Sequence, residues 1–122
     1  MNVTPEEFRA MVRAGWDEAE FQRNLIEMAN NLGWRVASFR KVRVQRKNGR
    51  VYWETPVAAD GRGFPDTLMI KGRRLLISEQ KVGHNTTTPE QKLWLNAFEQ
   101  VGAEVHVWKP EQWREIERTL RA

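Results

Sequence analysis

The chain has 122 residues, with 20 Lys and Arg, 16 Asp and Glu and no cysteine, and this length suits one compact domain. The lack of cysteine excludes disulfides, thiolate zinc sites and cysteine nucleophiles. No apolar run exceeds three residues, and the first residues contain neither a basic nor an apolar stretch, so we expect a soluble, unexported protein with no membrane partner.

Two helices are predicted at the start of the chain. Thr4, followed by proline and two glutamates, is typical of a helix cap, and Gly15 ends this helix, so residues 1–15 form a leading helix. Asp17 caps a longer helix that ends at Gly33. At 100° per residue its apolar side chains fall on one face, the expected core side. They are Phe21, Leu25, Met28, Ala29 and Leu32.

Residues 40–55 are predicted to form a basic hairpin. Asn48-Gly49 is a strong signal for a two-residue turn between strands. Residues 35–81 hold twelve basic and four acidic side chains. Basic residues interleaved with aromatic ones suit a phosphate backbone and unstacked bases, with a solvated hairpin as an equal alternative. The nucleic-acid-binding candidates are Arg40, Lys41, Arg43, Arg46, Lys47, Arg50, Trp53 and, in the following turn, Arg62.

A second hairpin follows, and its tight glycine turn fixes the pairing of its strands. With Lys71 opposite Arg74, Asp66 lies opposite Glu79, whereas a three-residue loop would make this pair diagonal. Like charges on directly opposed residues are destabilising, so the two carboxylates need a cation, which a divalent metal would supply. Lys81 projects to the same face of the sheet.

We expect the helix after Asp17 to cover this carboxylate-bearing face. Glu18 and Gln22 lie on its apolar side, whereas Glu20 points away. Because an unpaired buried carboxylate is costly, Glu18 is predicted to point at the same cation or its waters. The alternative is a first-turn acid favoured by the helix dipole.

The rest of the chain alternates helix and strand. Thr88 and Gln91 predict a capped helix that ends near Gly102. Val105–Trp108 predicts a short strand parallel to the strand before that helix, and a last helix follows. The apolar side of the capped helix is Leu93, Trp94, Ala97, Phe98 and Val101. This order predicts an α/β fold with one mixed sheet.

Four motifs in order resemble the VRR-NUC group of the PD-(D/E)xK nuclease superfamily over about 95 of the 122 residues. They are E-x-x-x-Q from Glu18 to Gln22, G-F-P-D ending at Asp66, E-x-K from Glu79 to Lys81, and T-x-x-Q from Thr88 to Gln91. The resemblance implies a restriction-endonuclease-like αβββαβ core, in which a mixed central sheet is flanked by helices.

The resemblance also implies an activity. Members of this group look like Mg²⁺-dependent DNA endonucleases, often acting on branched DNA such as junctions or flaps and often encoded by phages. We therefore expect Mg²⁺, or Mn²⁺ in its place, DNA as the partner, and a cytoplasmic location in a bacterium or a phage-infected cell. A surplus of apolar and aromatic side chains is compatible with a homodimer.

Each motif residue then receives a role. Asp66, Glu79 and the backbone carbonyl of Gln80 would hold the metal, and Glu18 would join them directly or through water. Lys81 would orient the attacking water or neutralise developing charge. Three residues would contact the metal ligands or a phosphate, with a purely structural role as the alternative for the two glutamines. They are Gln22, Gln91 and Thr88.

Two positions depart from the family pattern, which is apolar where this chain has Thr67 and Gln80. The register places Thr67 opposite Ser78, so we expect this edge of the other sheet face to be wetter or to contact a partner.

Two further functions stay open. One is a sequence-specific restriction-like or homing endonuclease whose basic hairpin reads the major groove, and the other is a non-catalytic nucleic-acid-binding module.

Overall fold

A computed structural model describes residues 2–39, 42–54 and 57–122, without the side chains of residues 42–44 and 52–54. Two helices begin the described chain, five strands follow, and a helix, a strand and a last helix end it, which is one strand more than the sequence predicts before the second hairpin. In chain order they are α1 (Pro5–Ala14), α2 (Glu18–Asn31), β1 (Arg35–Ser38), β2 (Val42–Gln45), β3 (Val51–Glu54), β4 (Thr67–Lys71), β5 (Arg74–Gln80), α3 (Pro89–Gln100), β6 (Glu104–Trp108), a 3₁₀ turn (Pro110–Gln112) and α4 (Trp113–Arg121). None of the helices in these ranges has the length and apolar composition needed to cross a bilayer.

The main sheet has four strands in the order β1, β4, β5, β6. Strand β4 is antiparallel to both β1 and β5, whereas β6 is parallel to β5 because α3 carries the chain back between them. Strands β2 and β3 form a separate two-stranded sheet. The chain is therefore α/β with a four-stranded mixed sheet flanked by helices, and the predicted parallel strand is confirmed.

The predicted caps fix where the first two helices begin. The hydroxyl of Thr4 accepts a hydrogen bond from the backbone amide of Glu7 at 3.0 Å. The carboxylate of Asp17 accepts one from the amide of Glu20 at 2.7 Å. Each bond satisfies an amide that has no partner within its helix, so both helices begin at the predicted residues.

The register predicted for the second hairpin is confirmed. Lys71 pairs with Arg74 and Thr67 with Ser78 across β4 and β5. The turn has two residues, and Gly72 adopts a φ of +59°, which glycine reaches at little cost. A one-residue slip would move every side chain to the other face, so this short turn decides which residues share a face with the carboxylates.

The turn of the basic hairpin is longer than predicted. Gln45 pairs with Val51, and the amide of Arg46 donates to the carbonyl of Arg50 at 2.8 Å, which leaves three residues in the turn rather than two. Gly49 lies in the left-handed region with a φ of +83°. A three-residue turn that ends in a left-handed glycine is the next most common hairpin connection, and the Asn-Gly signal does not distinguish it from the two-residue form.

The helices pack on both faces of the main sheet, and this corrects one prediction. Ile77 of β5 packs with Leu95 of α3, and Glu79 shares the face of Ile77 because strand side chains alternate. The carboxylate-bearing face is therefore covered by α3, and the expectation that α2 covers it is wrong. On the opposite face the sheet packs with α2 and α4 through Phe21, Leu25, Ala29, Trp34, Met69, Leu76, Trp108, Ile116 and Leu120.

The apolar side of α3 is also rotated from the prediction. Leu93 is 71% exposed and Val101 is 79% exposed. Gln91 and Leu95 are buried instead. Burial of the polar Gln91 brings an amide group next to the sheet at the position of Glu79.

Arg74 ties the sheet to the end of α4. Its guanidinium donates two bonds to the carboxylate of Glu104, at 2.8 and 2.6 Å, and one to the carbonyl of Ala122 at 2.7 Å. It also lies 4.8 Å from the ring centre of Trp34, whose indole nitrogen donates to the carbonyl of Leu120 at 2.9 Å. One cation thus joins β5, β6 and the last turn of α4.

Candidate metal centre

Asp66 and Glu79 lie at the same end of the main sheet, where β4 begins and β5 ends. Extending the observed pairing by one residue places them directly opposite each other. A carboxylate oxygen of Asp66 accepts a hydrogen bond from the backbone amide of Gln80 at 2.9 Å. Glu79 is only 1% exposed. The structure therefore brings the two predicted metal ligands together on neighbouring strands.

Gln91 reaches Glu79 from the first turn of α3. Its side-chain nitrogen donates to a carboxylate oxygen of Glu79 at 3.1 Å. Its side-chain oxygen accepts from the amide of Thr88 at 2.9 Å, and the hydroxyl of Thr88 accepts from the amide of Gln91 at 3.2 Å. Both ends of the Gln91 side chain are engaged, so the cap of α3 also orients the carboxylate. Thr88 acts here as the helix cap.

The G-F-P-D loop positions Asp66 by packing against α3. Gly63 has a φ of +80°, and a Cβ atom there would lie 2.7 Å from the backbone nitrogen of Gln91, a separation that side chains do not tolerate. The ring of Phe64 packs edge-on against Trp94, with the ring centres 5.0 Å apart. Both contacts hold the loop against α3. The same helix carries Gln91, so α3 helps to position both Asp66 and Glu79.

Lys81 continues β5 beside the two carboxylates. Its backbone amide donates to the carbonyl of Trp108 at 2.9 Å, which extends the pairing with β6 and keeps Lys81 on the face of Glu79. The residue is 6% exposed. Its ammonium forms no ion pair with a described residue.

Helix α2 reaches the site from the opposite face of the sheet. The side-chain nitrogen of Gln22 donates to the hydroxyl of Ser38 at 2.6 Å and, at 3.4 Å, to the backbone carbonyl of Asp66. Glu18 lies one turn earlier on the same side of the helix. No three Asp, Glu or His side chains in the described ranges lie close enough to hold a metal together. The structure therefore brings Gln22 to the site and does not place Glu18 in one three-residue metal-binding group with Asp66 and Glu79.

The paired carboxylates suit a hard divalent cation. Mg²⁺ is usually held by one or two protein carboxylates and keeps several waters, so it does not require a cage of protein ligands. The like charges of Asp66 and Glu79 on opposed residues favour an added cation at this position. The donor set present here therefore fits Mg²⁺.

The basic candidates are described only in part. At the tip of the β2–β3 hairpin, Arg46, Lys47 and Arg50 are exposed, and Arg62 is exposed in the loop before Asp66. Arg40 and Lys41, together with the side chains of Arg43 and Trp53, lie outside the described residues. The described tip places three cations on a ribbon that is separate from the main sheet.

The polar edge around Thr67 differs from the prediction. Thr67 and Ser78 are 0% exposed and Gln80 is 2% exposed. The expectation of a wetter, partner-contacting edge is wrong, because these side chains are buried between the sheet and its helices and hydrogen-bond to one another. Ser38 was missed as a partner of Gln22, since an isolated serine in a strand carries no signal in the sequence.

Comparisons with protein-family models, with curated proteins and with solved structures found no match to this chain. Its function must therefore be inferred from its own residues and their arrangement.

Proposed function

We propose that this protein is a Mg²⁺-dependent DNA endonuclease with a restriction-endonuclease-like core, similar to the VRR-NUC group of the PD-(D/E)xK nucleases. The observation that carries the proposal is the pairing of Asp66 with Glu79 at one end of the sheet, supported by the bond from the Gln80 amide to Asp66 at 2.9 Å. The element order supports it too. Without β2 and β3, the order from α2 to β6 is helix, three strands, helix, strand.

Each residue of the site has a defined task in this proposal. Asp66, Glu79 and the carbonyl of Gln80 would hold Mg²⁺, and Glu18 would contribute through water from the neighbouring turn of α2. Bound Mg²⁺ lowers the pKa of a coordinated water and offsets charge on the phosphate. Gln91 keeps Glu79 in one orientation, and the Lys81 ammonium stabilises the charge that develops as water attacks phosphorus.

For the substrate we propose branched DNA, either a junction or a flap. A second candidate is sequence-specific cleavage of duplex DNA, and one observation favours it. The β2–β3 hairpin forms its own two-stranded sheet with cations at its tip, and a two-stranded ribbon fits the major groove.

One assay tests the function and separates these substrates. Four-way junction, flap, single-stranded and linear duplex DNA are incubated with the protein in Mg²⁺, and in EDTA as the control. We expect Mg²⁺-dependent cutting of the junction or the flap. Preferred cutting of linear duplex at one site would instead indicate the restriction-like enzyme. Binding of DNA without any cleavage in Mg²⁺ or Mn²⁺ would contradict the enzyme and leave the binding module.

Neutralising the cations at the hairpin tip is expected to lower the affinity for DNA. It is also expected to make that affinity less sensitive to salt concentration. The triple change Arg46→Gln, Lys47→Gln and Arg50→Gln removes three cations that are exposed on the separate ribbon. If all three contact phosphates, the slope of log K against log[salt] falls by roughly 2 to 3, since each neutralised phosphate contributes about 0.9 for duplex DNA. Fluorescence anisotropy with labelled DNA across a salt series measures this slope.

A matched variant controls for the loss of net charge. It neutralises three arginines that are also exposed but lie on α2, in the β4–β5 turn and on α4. They are Arg23, Arg73 and Arg118. We expect this variant to retain most of the wild-type slope. Equal losses in both triple variants would mean that the hairpin is not a specific contact surface.

A further inference from the structure

A buried polar cluster lies behind the two carboxylates, on the opposite face of the same strands. It consists of Thr67, Ser78 and Gln80, and we call it the polar clamp. Thr67 directly follows Asp66 in the chain, and Ser78 and Gln80 stand on either side of Glu79. All three clamp side chains are buried, so Asp66 and Glu79 each lie next to backbone that the clamp holds.

The clamp joins β4 to β5 through its own hydrogen bonds. The hydroxyls of Thr67 and Ser78, on directly opposed residues, bond to each other. The side-chain nitrogen of Gln80 donates to the Ser78 hydroxyl at 2.5 Å and, more weakly, to the Thr67 hydroxyl at 3.4 Å. The backbone amide of Gln80 donates at the same time to Asp66 at 2.9 Å. Gln80 therefore couples the clamp directly to a metal-ligand candidate.

Stability alone does not explain a polar cluster at this position. The next residues on the same face, Met69 and Leu76, belong to the apolar core. The side-chain oxygen of Gln80 is buried and has no hydrogen-bond partner among the described residues, which costs free energy that an apolar side chain would not. Replacing a buried polar group and its partners with apolar groups of the same shape can be nearly neutral or stabilising.

We propose that the polar clamp is a positioning device for the metal centre, an inference that rests on the proposed function. Opposed carboxylates repel each other, and this repulsion favours separation of the strand ends that carry them. Directional hydrogen bonds between Thr67, Ser78 and Gln80 fix these ends more tightly than apolar packing does, because a hydrogen bond weakens steeply as its angle changes. The cation then binds a pair of carboxylates that is already in place. The side chains of the clamp act by positioning and touch neither the cation nor the substrate, whereas the backbone carbonyl of Gln80 remains a candidate ligand.

The test replaces the clamp with apolar side chains in the full-length protein. The triple variant carries Thr67→Val, Ser78→Ala and Gln80→Leu, and the single variant Gln80→Leu keeps the test interpretable if the triple variant fails to fold. Three quantities are measured: the Kd for Mn²⁺ by calorimetry without DNA, the melting temperature, and the protection of the backbone amide at position 80 against hydrogen exchange in metal-free protein, relative to the intrinsic rate of the residue present. We expect a melting temperature equal to or above that of wild type, weaker protection of the amide at position 80, and a Kd raised about 10 to 100-fold.

A substitution next to the clamp, Leu76→Val, distinguishes a loss of carboxylate positioning from a general loss of core packing. Leu76→Val changes the next residue along the same face of β5 by one methylene group and leaves the clamp intact. We expect it to lower the melting temperature with little change in the Kd for Mn²⁺. If the clamp variants bind Mn²⁺ as tightly as wild type, or lose affinity only in proportion to their melting temperature, the positioning role is wrong.

The same measurements distinguish failure of the clamp from failure of the proposed function. A wild-type protein that binds Mn²⁺ in a clamp-dependent way but cuts no DNA would overturn the nuclease and leave the clamp in place. Cleavage with a Kd that the clamp variants do not change would overturn the clamp alone. A wild-type protein that neither binds Mn²⁺ nor cuts DNA would overturn both, and one that cuts DNA without binding Mn²⁺ in its absence would overturn the clamp alone.

Discussion

Replacing Asp66 with asparagine is expected to slow DNA cleavage severely while DNA binding survives. Asparagine has nearly the same shape, and its side-chain oxygen still accepts from the Gln80 amide, which donates to Asp66 at 2.9 Å in the wild type. The substitution removes the negative charge that a divalent cation needs. We expect kcat to fall by roughly 10³-fold, which corresponds to about 4 kcal/mol of lost transition-state stabilisation. Single-turnover cleavage of the best DNA substrate and anisotropy in Ca²⁺ separate the rate from the affinity.

Three further variants test the other residues of the site and provide a control. Glu79→Gln is expected to behave like the Asp66 variant, because it removes the other charge. Lys81→Met is expected to slow cleavage without weakening Mn²⁺ binding, since an ammonium does not ligate a cation. Asp60→Asn is the matched control, because Asp60 is exposed in the preceding loop, and it should cut at the wild-type rate. A wild-type rate in the Asp66 variant would show that the proposed site is wrong.

The register of the site could be predicted because local rules determine it. A two-residue turn at Gly72 sets Lys71 opposite Arg74, and the alternation of strand side chains then carries this pairing to Asp66 and Glu79. Helix caps are equally local, since a side chain three residues away decides them. The start of α3 at Thr88 followed from such a rule.

The packing partners of the sheet could not be predicted, because β5 carries no alternation of buried and exposed side chains. Residues 76–81 are all buried, as is typical of a strand covered on both faces. The apolar stripe of α2 suits either face equally, so the expected contact between α2 and Glu79 was wrong. The position of Glu18 depended on that contact. Polar residues such as Thr67 and Ser78 are usually exposed, and only the three-dimensional structure shows that they satisfy each other in the interior.

Removing the guanidinium group of Arg74 is expected to lower the free energy of unfolding substantially. Arg74→Met keeps the aliphatic stem but removes the paired bonds to Glu104 at 2.8 and 2.6 Å and the bond to the Ala122 carbonyl at 2.7 Å. It also removes the cation above Trp34. The side chains of the ion pair are about one-third exposed, at 30% and 37%, so we expect a loss of about 2 to 3 kcal/mol rather than the larger cost of a fully buried pair. Urea unfolding monitored by tryptophan fluorescence at pH 7 measures it.

The same pair predicts how this loss depends on pH. A side-chain hydrogen bond from Arg74 is the main reason that the pKa of Glu104 is lowered from its usual 4.5. Because the lowered pKa belongs to the folded state, the pair stabilises the protein above pH 4.5 and loses this contribution as pH falls through the lowered value. The stability gap between wild type and Arg74→Met should therefore narrow in acid.

Arg121→Met is the matched control for the Arg74 substitution. Its side chain is 61% exposed and pairs with Glu117 within α4 at 3.0 Å. Since an exposed helical pair contributes about 0.3 to 0.5 kcal/mol, this variant should unfold close to wild type at every pH. An equal loss in both variants would mean that Arg74 acts only as one surface charge among several. A gap that stays constant in acid would mean that Glu104 is not the partner through which Arg74 stabilises the fold.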